Sequence, residues 1–292
     1  MWKSCLSEKT IRLFGAGQEG RQAPKGGMQF ITEMHTDAGN CRKVNQDACC
    51  VRMMTVAGHS LLMAAVCDGV GGMQEGDYAS KSAIQSLNHW FDYAVGREIQ
   101  SKNSGKLMDI LQRGMEECIQ AQNRIIYEYA REKGIRAGTT LTALFILDRE
   151  YITAQVGDSR AYCMDVELNL RQLTEDQSVV AREVRAGRLS REEARHDKRR
   201  NIILQCIGGA EYLQVVYQAG NVGREAVFLL CSDGFVHELS DGEIKEWMKP
   251  GFFADRAAMK GRLMDAVSLV KARGEKDNIT AVLVKAYGLF GA

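Results

Sequence analysis

Two stretches of the chain run an apolar, strand-like segment straight into an aspartate followed by glycine: LLMAAVCDGVGGMQEGD at 61–77 and AVFLLCSDG at 226–234. Three further aspartates occupy comparable places. Asp47 opens ACCVRMM, Asp158 follows AQVG, and Asp277 precedes NITAVLV. One Asp-Gly after a strand is usually only a turn. Five at mutually consistent strand ends form a pattern. Carboxylates crowded into a poorly solvated cleft repel one another and cannot all ionise unless cations compensate. Ligation by oxygen alone, without histidine or thiolate, selects hard ions: Mg²⁺ or Mn²⁺ ahead of Ca²⁺. Gly69 can present its carbonyl to such an ion, and Gly71 and Gly72 let the backbone turn tightly and come close.

The elements that must hold these residues follow from periodicity. ACCVRMM and 61–67 are two strands joined by a short turn containing Gly58, and a hairpin between them sets Asp47 beside Asp68. Pairing of 226–232 with 279–286 does the same for Asp233 and Asp277. Further strands are expected at QFITEM, 139–147, 151–156, RAYCM and 213–218. A helix over 77–94 carries Ala79, Ala83, Ile84, Leu87, Phe91 and Ala94 on one face. A second, over 104–132, carries Leu107, Ile110, Leu111, Met115, Cys118, Gln122, Ile125 and Tyr129 at helical spacing, and Gly134 can close it. Two short helices fit 177–197, and a long one fits 255–273. Ser190 with Glu193 and Ser240 with Glu243 are spaced as capping boxes. Strands at both ends with helices paired between them, and mostly short turns, imply an α+β fold: a four-layer α-β-β-α sandwich of two packed, largely antiparallel sheets with helices outside.

Composition narrows the class. The chain has 292 residues, 45% of them hydrophobic, enough for a sizeable core. Lys plus Arg is 38 against 37 Asp plus Glu, a net charge of +1, so no nucleic-acid surface or basic membrane patch is expected. No apolar run reaches the length of a membrane span, and the N-terminus lacks a signal-peptide core. The nine cysteines include no C-x-x-C, and Cys67, Cys163 and Cys231 sit in apolar runs. They read as reduced, buried thiols of a cytoplasmic protein. Residues 1–27, rich in Gly, Gln and charge, read as a loosely ordered extension before a domain over 28–288.

The ordered motifs resemble the protein phosphatase 2C (PPM) family of metal-dependent serine/threonine phosphatases, in its bacterial-type branch. They are TDAGNCRKVNQDA (36–48), VCDGVGG (66–72) with GDYAS (76–80), GTTLTAL (138–144), VGDSRAY (156–162), LTEDQS (173–178), RRNIILQCIGG (199–209), LLCSDG (229–234) and DNITAVLV (277–284). Any one is modest; the ordered set spans nearly the whole chain. The resemblance implies that Asp47, Asp68, the Gly69 carbonyl, Asp233 and Asp277 hold two Mn²⁺ or Mg²⁺ ions. Asp158 with Asp233 would contribute to a weaker third. Arg42 matches the arginine that grips the substrate phosphate, a role suited to a guanidinium fork. Residues 177–212 would form a flap beside the active site. The implied reaction is direct hydrolysis of phosphoserine or phosphothreonine, with Asp47, Asp68 and Arg42 as catalytic residues. A water bridging the metals attacks phosphorus in line, and no phosphoenzyme is needed. The implied partners are phosphorylated Ser/Thr proteins made by a cognate kinase, and the implied form is a monomer.

Three departures from the family pattern stand out. Val70 replaces a histidine found in some relatives and cannot donate a proton, which leaves a metal-bound water to protonate the leaving group. Gln177 replaces the histidine of a DHS motif. His237 stands four residues after Asp233, where some relatives carry an acidic ligand, and reads as an exposed helix-approach residue. Two readings stay open beside the phosphoprotein phosphatase: a catalytically silent regulatory or phosphoprotein-binding module on the same fold, and a phosphatase for small phosphorylated metabolites. The presence of every ligand aspartate and of Arg42 speaks against the first.

Other signals carry less. FGAGQEG (14–20) contains G-x-G-x-x-G but no strand before it and no clean helix start after it. Cys118 to Arg124 has the C-x5-R spacing of cysteine-dependent phosphatases. It lacks the glycine-rich loop that chemistry needs and falls mid-helix. Asp77 can cap its helix or assist the metals. The run Lys198-Arg199-Arg200 reads as a solvated face of the flap, with recruitment of acidic phosphopeptides as the alternative.

Overall fold

The computed structural model describes residues 27–70, 75–101 and 107–288. Strands β1 (Met28–Asp37), β2 (Ala48–Val56) and β3 (His59–Cys67) lead into helices α1 (Gly76–Trp90), α2 (Gly96–Ser101) and α3 (Leu107–Lys133). Next come β4 (Leu141–Leu147), β5 (Glu150–Val156), β6 (Arg160–Asp165) and β7 (Leu170–Gln172), then the short helices α4 (Val179–Arg185) and α5 (Arg191–His196). The chain continues through β8 (Val216–Asn221), β9 (Glu225–Cys231), α6 (Asp233–Val236), α7 (Asp241–Trp247), α8 (Arg256–Ala272) and β10 (Ile279–Gly288). Among the described residues no helix is long and apolar enough to cross a membrane. The extension expected over 1–27, and Gly71 and Gly72, lie outside the described residues apart from Gly27, as does the 14–20 motif.

The strands form two five-stranded sheets, β1-β10-β9-β6-β7 and β2-β3-β4-β5-β8, and every pairing is antiparallel. Unbroken apolar runs require cover on both faces of a sheet, and that is what they receive. On β3, Leu61, Met63, Ala65 and Cys67 face a core shared with α1 and α3, while Leu62, Ala64 and Val66 face the other sheet. On β9, Val227, Leu229 and Cys231 pack toward α7 and α8, while Ala226, Phe228 and Leu230 meet β3 and β4 between the sheets. Period-two alternation thus builds the four layers. Both capping boxes form: the Ser190 and Ser240 hydroxyls accept from the N–H groups of Glu193 and Glu243.

Three details differ from the periodic expectation, each with a local cause. The helix over 77–94 gains a π turn at Phe91–Val95, which advances the phase so that Val95 is buried and Ala94 only half-buried. In α3 the buried face runs through Ile119, Ile126 and Ala130, and Ile125 is 52% exposed. Asn123 is the cause. It is fully buried, donates to the Ala210 and Glu211 carbonyls and accepts from the Gly208 N–H, and turning it inward turns Ile125 out. The strand expected over 213–218 begins at Val216, because the Leu213 and Gln214 carbonyls are taken by the Gln120 and Gln205 side chains.

Candidate metal centre

The hairpin of β2 and β3 ends on the pair Ala48 opposite Cys67, so Asp47 and Asp68 emerge side by side at one end of their sheet. In the other sheet, Cys231 pairs with Ala281, and Asp233 and Asp277 emerge just beyond. Asp158 leaves the tight turn between β5 and β6. The two sheets are packed face to face, so both ends open on the same cleft. Its volume is about 280 Å³, and Arg42, Asp68, Val70, Thr140, Asp158, Asn201, Ile203, Asp233 and Asp277 line it. Asp47 sits behind this wall, buried, with neither carboxylate oxygen hydrogen-bonded.

The chain past β3 stays pinned although the strand has ended. The Asp68 N–H donates to the Thr140 hydroxyl at 2.9 Å, and the Asp68 carbonyl accepts from the Thr140 N–H at 2.8 Å and the Thr139 hydroxyl at 2.9 Å. Gly69 continues this contact by donating to the Gln46 carbonyl at 3.1 Å. No side chain fits there: a Cβ on Gly69 would lie 2.5 Å from the Gly76 carbonyl oxygen and 2.6 Å from that of Gln46. Gly39, at φ +74°, allows the 38–46 loop to lie against the Asp277 carbonyl, where a Cβ would stand 2.4 Å away. Asn278 ties that loop down. Its amide donates to the Ala38 and Val44 carbonyls, and its oxygen accepts the Gln46 N–H at 2.9 Å.

The electrostatics are those of crowded, dehydrated carboxylates. Burial pushes Asp47 up to about 7, and the charges of Asp233 and Asp277 add to that; the nearby Thr280 and Ser232 hydroxyls oppose it without closing a good hydrogen bond. Burial likewise raises Asp68, reinforced by Asp47, Asp233, Asp158 and Asp277. Asp158 is pushed up to about 8, first by burial and then by Asp233 and Asp176. A group of acids held so far from its ordinary range stores free energy that bound cations would release. The residues fit such cations: hard oxygen donors, two of them buried with unused lone pairs (Asp47 Oδ1 and Oδ2, Asp233 Oδ1). No three His, Cys, Asp or Glu side chains among the described residues form a ready-made cage. An ion here would be shared among paired carboxylates, a carbonyl and water, the habit of Mg²⁺.

Of the residues singled out in the sequence, Arg42, Asp68, Asp158, Asp233 and Asp277 therefore share one cleft, with Asp47 and Gly69 immediately adjoining it. Arg42 forks onto Asp277, with Nε to Oδ1 at 3.0 Å and Nη2 to Oδ2 at 2.7 Å, and that pairing raises its already high pKa. His237 is not the exposed residue the sequence suggested. Its side chain is 19% exposed and lies between Asp233 Oδ2 at 3.5 Å and Glu275 Oε2 at 3.4 Å. Burial alone would lower its pKa, and the charges of Asp233 and Glu275 outweigh burial and raise it. Asp77 does not cap α1, whose cap is Glu75; it pairs with Lys81 at 3.2 Å. Cys118 is half-buried in mid-helix beside the Ser86 hydroxyl, and burial raises its pKa, the reverse of what a nucleophilic thiol needs.

Several contributors had no contact at the site assigned to them from the sequence, although Thr140, Gln177, Asn201 and Ile203 lie within its motifs. Glu275 accepts the Asp277 N–H at 2.8 Å and touches His237, so one buried acid links the backbone of Asp277 to the side chain beside Asp233. Thr140 fixes Asp68, and Asn201 and Ile203 reach the cleft from the 177–212 segment. Gln177 accepts the Gly157 N–H at 2.7 Å and the Gln205 amide at 2.8 Å, tying that segment to the residue before Asp158.

This geometry agrees with the comparison against known families, in which protein phosphatase 2C matches residues 34–269. The chain belongs to the protein phosphatase 2C family. The serine/threonine phosphatase stp of Listeria monocytogenes is 30% identical over 257 residues, spanning 87% of this chain and 94% of its own. The protein phosphatase PhpP of Streptococcus pneumoniae is 30% identical over 251 residues, with 85% and 94% covered. Among solved structures, serine/threonine phosphatase Stp1 from Staphylococcus aureus superposes with a TM-score of 0.74 at 25% identity, covering 94% of this chain and all of that one. The catalytic domain of PstP in complex with two manganese ions shares the fold, at a TM-score of 0.72 and 24% identity. This phosphatase is thus an enzyme of the protein-serine/threonine class, on an α+β sandwich common to bacterial relatives.

Proposed function

We propose that this phosphatase hydrolyses phosphoserine and phosphothreonine in proteins with two Mn²⁺ or Mg²⁺ ions, on substrates made by a cognate kinase. The observation that carries this reading is the convergence of Asp68, Asp158, Asp233, Asp277 and Arg42 on one cleft, backed by Asp47 with two unused buried oxygens. Asp47, Asp68, the Gly69 carbonyl, Asp233 and Asp277 would hold the ions, and Asp158 with Asp233 a weaker third. When bound, the ions supply Lewis-acid charge and an acidified water for in-line attack on phosphorus.

The chain's own residues do the rest. Arg42 stands at the cleft wall with a planar donor fork matched to two phosphate oxygens. Thr140 and Gln46 fix the backbone of Asp68 and Gly69, so those ligands need little reorganisation. Val70 lines the cleft without a transferable proton, so the leaving alkoxide takes its proton from water.

The test is hydrolysis of p-nitrophenyl phosphate and of a phosphothreonine peptide with Mn²⁺ and with EDTA, comparing wild type, Asp68→Asn and Cys118→Ser. Mn²⁺-dependent turnover that is lost in Asp68→Asn and kept in Cys118→Ser is expected. No turnover by folded, Mn²⁺-supplied wild type would overturn the proposal.

A further inference from the structure

The 177–212 segment is chemically unlike the rest of the molecule. Residues 179–200 contain eight Lys or Arg and four Asp or Glu, a local charge of +4 in a chain of net +1, which leaves −3 for the remainder. Five of the eight are spent locally: Arg182 and Arg188 pair with Glu183, Arg185 with Glu175, Arg195 with Asp241 and Arg199 with Asp197. The ones nearest the cleft are not. Lys198 is exposed and without an ion pair or hydrogen bond among the described residues, three residues before Asn201, which lines the cleft. Arg200 is half-buried beside Asn201; among the described residues its guanidinium donates to the Arg195 carbonyl at 3.1 Å and forms no ion pair.

The turn carrying them is fixed. The Arg200 N–H donates to the Asp197 carbonyl at 3.1 Å, the Ile202 N–H to that of Arg199 at 3.0 Å, and the Val179 N–H to that of Ile202 at 2.8 Å. Arg195 donates to Asp241 at 3.3 Å and ties α5 against the start of α7. Lys43 is exposed, has no ion pair among the described residues and follows Arg42, which lines the cleft, in the loop held by Asn278. Cations without an ion-pair partner among the described residues thus stand next in sequence to Arg42 and to Asn201, two residues that line the cleft, and outside the residues that would hold metal and phosphate.

We infer that Lys43, Lys198 and Arg200 form an acceptance rim for phosphopeptides with acidic residues flanking the phosphorylated side chain. This rests on the function proposed above and specifies its substrate class. Exposed charges separated from their targets by less than a screening length steer and weakly hold opposite charge, and their effect is salt-dependent. Exposed ion pairs are individually weak, and two or three acting together predict about a five- to tenfold preference, about 1–1.4 kcal/mol in total.

The experiment uses the full chain with Mn²⁺ and three phosphothreonine peptides of equal length, flanked by Glu, Gln or Lys, with p-nitrophenyl phosphate as a reference without flanks. The Glu peptide should exceed the Gln peptide about five- to tenfold in kcat/KM at about 0.1 M salt, and the advantage should vanish toward about 1 M as the screening length falls from about 10 to about 3 Å. The exposed double reversal K43E/K198E should bring the Glu-to-Gln ratio to about one or below, and Arg200→Gln should lower it independently. Equal kcat/KM for all three peptides, with p-nitrophenyl phosphate still turned over, would overturn the rim and leave the proposed function standing. No turnover of any substrate would overturn both. A ratio unchanged in K43E/K198E and in Arg200→Gln, or binding to a single-stranded oligonucleotide or anionic vesicles without any peptide preference, would also overturn it.

Discussion

Asp47 and Asp68 occupy matched positions on neighbouring strands, one step beyond the terminal pair Ala48 and Cys67, with Asp47 buried and Asp68 half-buried at the cleft wall. The hairpin register thus fixes the spacing of two acids before any ligand is present. A one-residue slip of either strand would turn its acid to the opposite face and separate the pair. Asp233 and Asp277 repeat the relationship on the other sheet.

Replacing one of these acids should therefore separate activity from stability. Asp68→Asn keeps the side chain's shape and removes a charge whose burial is unfavourable. We expect Mn²⁺-dependent turnover to fall by roughly 10³-fold, since a metal's Lewis-acid contribution is several kcal/mol and each 1.36 kcal/mol is about tenfold. In EDTA the melting temperature should stay level or rise. A parallel loss of activity and of metal-free stability would contradict the buried-charge account.

The same burial gives a pH dependence with a definite sign. Asp47 and Asp158 titrate near 7 and 8 in the folded protein, against about 3.8 unfolded. Their protonation stabilises the fold; that contribution is complete below about pH 4 and is lost as pH rises through about 8. His237, also raised, acts in the same direction. Thermal melts in EDTA should thus show stability falling between about pH 4 and pH 8 and levelling off above, with a shallower slope in Asp47→Asn. Saturating Mn²⁺ should flatten the wild-type slope, because the ion replaces the proton.

How much of this was legible in the sequence depended on the range of the interaction. Strand alternation and short turns fix register locally, so the two aspartate pairs and the α+β layering could be read directly. Contacts supplied by remote segments could not. Ile125 was assigned to the core of α3 because its spacing is right, and only the bonds from Asn123 to the Ala210 and Glu211 carbonyls turn it outward. His237 looked exposed because nothing near it in sequence announces Glu275, 38 residues on, which is 4% exposed and in contact with it. Asn201 and Ile203 carry no motif-independent mark; they matter because their segment folds over the cleft.

Asn278 offers a test of that long-range wiring. Its three hydrogen bonds hold the 38–46 loop, which carries Arg42 and leads to Asp47. Asn278→Ala leaves the Gln46 N–H and two carbonyls without their partner, at about 1–3 kcal/mol. Thermal unfolding should report that loss. Steady-state kinetics should show KM for a phosphothreonine peptide rising more than kcat falls if, as proposed, the loop positions the Arg42 guanidinium, which here forks onto Asp277, for the phosphate. An unchanged KM beside a lowered melting temperature would confine Asn278 to stability.

The buried contact between His237 and Glu275 yields the last prediction. Removing the imidazole strands a carboxylate that is nearly inaccessible to water, and an uncompensated buried charge costs about 3–5 kcal/mol. His237→Ala should be strongly destabilising at pH 7, while the double change His237→Ala with Glu275→Gln should recover part of the loss, since the stranded charge is gone. Glu275→Gln still leaves an oxygen able to accept the Asp277 N–H that Glu275 now takes at 2.8 Å, so the Asp277 turn should survive. A double-mutant cycle by chemical denaturation reads the coupling directly. Additive losses would mean that the 3.4 Å approach of the two side chains carries no energy of its own and that His237 acts only by filling space beside Asp233.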